Sequence, residues 1–89
     1  MTEPVHLPFL VGDVNHVAFF KRDEITTDLI CCEILSNGLR WTYHEEMAEW
    51  EQLITDLNTL PGFALDWFEH VSQPPFTPSE FIAFQRETA

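Results

Sequence analysis

The chain of 89 residues carries 15 Asp and Glu against 4 Lys and Arg, a formal net charge of −11. Four cations cannot form the basic stripe that phosphate neutralisation needs, which excludes nucleic acid as a partner and anionic membrane surfaces with it. With 45% hydrophobic residues, among them 8 Phe, 3 Trp and 1 Tyr, the chain can build one core, and residues 1–89 read as a single α+β domain rather than a disordered segment.

Residues 1–12 read as an irregular lead-in, because Pro4 and Pro8 interrupt pairing and Gly12 ends the stretch. Met1-Thr2-Glu3-Pro4 lacks the cationic and apolar regions of a secretory peptide. No apolar run approaches the roughly 18 residues of a membrane helix. The adjacent Cys31 and Cys32 cannot make an ordinary cross-linking disulfide framework, so a reducing, cytoplasmic location is expected.

From Val14 to Lys21 the run VNHVAFFK is rich in strand formers and predicts a first strand. Arg22 to Thr27 is a polar connection, and Asp28 to Leu35 predicts a second strand. Asn37-Gly38 then signals a type I′ hairpin, whose central residues need positive φ, and Leu39 to His44 follows as a third strand. A two-residue loop pairs Ser36 with Leu39, Ile34 with Trp41 and Cys32 with Tyr43. That register gathers Ile30, Cys32, Ile34, Trp41 and Tyr43 on one apolar face. Cys31, Glu33, Arg40, Thr42 and His44 fall on the other, with Glu33 able to reach Arg40 diagonally.

Met47, Trp50, Leu53, Ile54, Leu57 and Leu60 recur at spacings of three and four and predict the main helix, over about 46–59. Glu45, Glu46 and Glu49 at its start suit the positive end of a helix dipole, and Leu60-Pro61-Gly62 stops it. A short second helix over about 65–72 would bury Leu65, Phe68 and Val71 until Pro74-Pro75 breaks the chain. Residues 78–86 admit two readings. Thr77-Pro78-Ser79-Glu80 resembles a capping box, whereas Phe81 to Arg86 leans towards a closing strand, which is preferred. The expected fold is therefore an antiparallel sheet of three to four strands packed on one main and one short helix.

Few residues invite a chemical role. Successive strand residues point to opposite faces, so Cys31 and Cys32 cannot converge on one metal ion. Cys31 and His44 are the only weak metal candidates, joined by His16 if the first strand pairs suitably. No HExxH spacing, phosphate-cradling glycine loop or nucleophile motif occurs, so no catalytic residue, cofactor or metal is expected. Asp23, Glu24 and Asp28 should meet Glu45, Glu46 and Glu49 at one end of the sheet, as a docking surface or as solvated charges with local ion pairs. Trp67 and Phe76 mark a second interaction candidate, because the aromatics exceed what a thin sandwich hides.

The run KRDEITTDLICCEI at Lys21–Ile34, with WTYHEEMAEWEQL at Trp41–Leu53 and LPGF at Leu60–Phe63, resembles a family of short bacterial proteins. That family shares a K-R-D-x-x-T-T-D-L-I-C stretch, an E-E-M-x-x-W helix start and a W-F…P-x-F tail. The resemblance covers about residues 13–86 and is carried by Lys21, Arg22, Asp23, Thr26, Thr27, Asp28, Glu45, Glu46 and Trp50. It implies a small stand-alone protein and brings no activity or cofactor with it.

The function expected is non-catalytic: an acidic surface that binds a basic or cationic protein partner, as an immunity protein or antitoxin does. The alternatives are a small metal-binding protein or enzyme using Cys31, His44 and nearby carboxylates, and a homodimer with a structural role.

Overall fold

Residues 7–23, 28–72 and 79–86 are described by the computed structural model. Asn37 at φ 51° and Gly38 at φ 78° make the expected turn between β2 (Asp28–Ser36) and β3 (Leu39–His44). The ladder pairs Ser36 with Leu39, Ile34 with Trp41 and Cys32 with Tyr43, as the hairpin spacing predicts. β1 (Val14–Asp23) pairs with the other side of β2, and β4 (Ser79–Gln85) pairs with β1, giving an antiparallel sheet of order β3-β2-β1-β4. The C-terminal segment is thus a strand, as preferred above.

Two bulges interrupt the ladders that β1 makes with its neighbours. Asn15 is an extra residue between the Val14–Ser36 and His16–Leu35 pairs, and Ala83 is extra between the pairs of Val17 with Phe84 and Ala18 with Ile82. A bulge frees backbone groups from the ladder, and both are used. The Asn15 carbonyl accepts from Arg86 N at 2.8 Å, and the Ala83 carbonyl accepts from Ala64 N at 2.8 Å. Arg86 also donates from Nε to the Val14 carbonyl and from Nη2 to the Gly12 carbonyl, both at 3.1 Å. The end of β4 is thereby stitched to the start of β1.

α1 (Trp50–Leu57) and α2 (Trp67–Val71) cover one face of this sheet. Val17, Phe19, Ile30, Cys32, Ile34 and Tyr43 from the strands meet Leu53, Leu57, Leu60, Phe63, Trp67 and Val71 in one buried cluster. The lead-in contributes too: a 3-10 turn occupies Val11–Asp13, and Leu7, Phe9 and Val11 pack against the core.

Three expectations need correction. α1 starts at Trp50, not 46, because Glu45 is bonded to β2 and the chain leaves the sheet edge through consecutive turns. In these, Met47 N donates to the His44 carbonyl at 3.0 Å and Trp50 N to the Met47 carbonyl at 3.1 Å. α2 begins at Trp67 and buries Trp67 and Val71, four apart on one helix face. Leu65 and Phe68, expected inside, are 72% and 53% exposed. No helix among the described residues is long and apolar enough to cross a membrane.

Candidate functional site

The acidic residues expected at one end of the sheet do different jobs. Asp23 and Asp28 are backbone partners closing the β1–β2 ladder. Glu24 lies outside the described residues. Glu45 is structural: its N–H donates to the Ile30 carbonyl at 3.0 Å, and its Oε1 accepts from Ile30 N at 3.1 Å. Glu46 is exposed, and its N–H donates to His44 Nδ1 at 3.2 Å. Glu49 precedes the first turn of α1 without a side-chain capping bond. Burial first, and the Glu49 carboxylate second, push the Tyr43 phenol above its ordinary range.

Lys21 is a residue whose role sequence reasoning missed. It is only 3% exposed, and its Nζ donates to the Ser72 carbonyl at 3.0 Å. Strand alternation carries the signal, since Val17, Phe19 and Lys21 share one face. The ammonium therefore sits at the C-terminal end of α2, where exposed helix carbonyls favour a cation.

Cys31 and His44 do face one another across the β2–β3 ladder. His16 does not join them, because it pairs with Leu35, while Cys31 pairs with Phe20 on β1. Cys31 is 1% exposed, and its thiol points to the Leu29 carbonyl at 3.9 Å. Among the described residues no group of three His, Cys, Asp or Glu side chains could hold a metal ion. Cys32 lies in the core, where burial, then the neighbouring Cys31 and Glu33, push its thiol far above the ordinary range.

Charge separates the two layers. From Glu45 to Ser72 the sequence holds Glu45, Glu46, Glu49, Glu51, Asp56, Asp66 and Glu69 but no Lys or Arg. All four cations, Lys21, Arg22, Arg40 and Arg86, are on strands or directly after β4. Asp56 accepts from Gln52 at 2.8 Å, and Asp66 meets His70 Nε2 at 2.9 Å. Among the described residues Glu46, Glu49, Glu51 and Glu69 have no ion-pair partner, whereas Glu33 pairs with Arg40 at 3.6 Å, as the register implies.

The aromatic candidates split. Phe76 lies outside the described residues. Trp67 is core, 8% exposed and stacked on Phe19, rather than a surface residue. One edge of it nevertheless lines an open groove of about 380 Å³ with Trp50, Glu51, Ile54 and Thr55. Phe68 stands edge-on to Trp67 at 5.7 Å and supplies the exposed aromatic surface in its place. Comparison with protein-family models, curated proteins and solved structures finds no match, so charge and geometry alone carry the functional reading.

Proposed function

We propose that this chain is a non-catalytic binding or regulatory protein whose acidic helical layer docks a basic protein partner, in the manner of an immunity protein or antitoxin. One observation carries the reading: seven carboxylates and no Lys or Arg occupy the whole stretch from Glu45 to Ser72. Glu46, Glu49, Glu51 and Glu69, like charges without an ion-pair partner among the described residues, repel each other and are relieved by a cationic surface, which they also attract over several ångströms. A net charge of −11 argues against nucleic acid as that partner and for a protein. Two unbridged cysteines suit the cytoplasm, where such a complex would form. The short bacterial family that the Lys21–Ile34 run resembles brings no competing activity.

Short oligolysine serves as the probe. Its affinity should fall at least about tenfold between about 30 and about 300 mM salt as the charges are screened. Glu46→Gln and Glu51→Gln should each weaken it, while Glu33→Gln and Glu80→Gln on the sheet should not. Salt-indifferent binding, or equal losses from both layers, would overturn the reading.

A further inference from the structure

We infer that the groove between α1 and α2 receives an apolar side chain of the basic partner, which is therefore a cationic segment with apolar anchors set among its Lys or Arg residues. The inference rests on the acidic-layer reading above and adds a specific contact to it.

The groove is built, not incidental. Trp50 and Ile54 stand four apart on one face of α1. The floor is Trp67, whose ring lies 3.8 Å from that of Phe19 with the planes within 8°. Trp50 meets both rings edge-on at 6.2 Å. Three interlocked aromatics cannot shift independently, so the walls are ordered before any ligand arrives and little entropy is lost on binding. Rigid Trp surfaces in such pockets dominate protein interfaces. The volume, about 380 Å³, is near the low end of ligand pockets at ~300–1,000 Å³ and suits one or two large side chains.

The rim selects the occupant. Glu51 and Thr55 edge the apolar floor, and no Lys or Arg occurs on either helix. A cation flanking the anchor meets Glu51, whereas an anionic amphiphile is repelled. A second copy presenting the same face brings the same carboxylates against this one, which like-charge repulsion opposes. A basic peptide with an apolar anchor satisfies both the floor and the rim.

Two peptides of equal length and charge test this. One spaces its Lys residues with Ser, and the other places Leu residues four apart among the same Lys residues. Binding is read by anisotropy of the labelled peptides and by acrylamide quenching of Trp emission in a Trp41→Phe background, which leaves Trp50 and Trp67 as reporters. The Leu peptide should bind about tenfold tighter and shield the two tryptophans. Ile54→Ser should erase that difference. Thr55→Phe, which fills the groove from an exposed position, should erase it without threatening the fold. Equal affinities for the two peptides, or a difference that survives Thr55→Phe, would overturn the groove and leave the acidic-layer reading standing. Failure of both peptides to bind at low salt would overturn that reading as well.

Discussion

Phe19 of β1 and Trp67 of α2 lie face to face, ring centroids 3.8 Å apart. α2 has only five residues, too few to hold helical form alone, so its place depends on what it docks against. Trp67→Ala should lower stability by about 3–5 kcal/mol in urea denaturation, because it opens a cavity over Phe19. The neighbouring Phe68→Ala, at an exposed ring, should cost under about 1 kcal/mol. Equal losses would mean that Trp67 does not anchor the helix.

Glu45 should behave unlike the other acidic residues. Removing its carboxylate leaves the Ile30 N–H without its acceptor, so Glu45→Ala should cost about 1–3 kcal/mol. Glu46→Ala and Glu51→Ala should stay within about 0.5 kcal/mol. Thermal melts of the three variants separate a carboxylate that builds the sheet edge from those left for docking.

Alkaline pH should destabilise the protein in two stages. The Cys32 thiol is held neutral in the fold, mainly by burial, so its contribution is present in full below about pH 8.5, where unfolded cysteine begins to ionise. Above that, stability is lost by up to about 1.4 kcal/mol per pH unit as the unfolded chain releases the proton that the folded chain keeps. Tyr43, raised in the same direction, adds its share above about pH 10. Cys32→Ala should flatten the slope between about pH 8.5 and 10 in denaturation series, and an unchanged slope would contradict a neutral, sequestered thiol.

Gly38 at φ 78° has open space where a Cβ would go, so the cost of Gly38→Ala is purely that of the backbone conformation, about 1–2 kcal/mol. Gly12 has equal space without a positive φ, and Gly12→Ala should be neutral or mildly stabilising. Melting temperatures that move together would remove the distinction.

The hairpin was legible because a two-residue turn fixes register, and register decides which face each side chain takes. The start of α1 was not. Turns bonded from His44 to Met47 and from Met47 to Trp50 repeat every three residues, which periodicity alone does not separate from a helix. α2 is too short for its phase to show, so Trp67 and Phe68 were assigned to the wrong sides. Lys21 could have been placed by counting from Phe19, but a charged residue near the end of a strand looks solvated unless the alternation is followed through. At the candidate site, the absence of cations between Glu45 and Ser72 was readable in full, while the Trp50–Ile54–Trp67 groove needed the packing of two helices.

The sheet order also sets a schedule. β2 and β3 can zip together around Asn37-Gly38 almost as soon as both have been made, and β1 joins across a short gap. β4 pairs with β1 over about 60 to 70 intervening positions, so one flank of β1 stays bare until synthesis has passed both helices. A growing chain therefore presents the Val17 and Phe19 strand as an unprotected edge, the kind of surface that recruits chaperones or neighbouring chains. Arg86, which reaches the Gly12 and Val14 carbonyls, fastens that edge once β4 has paired.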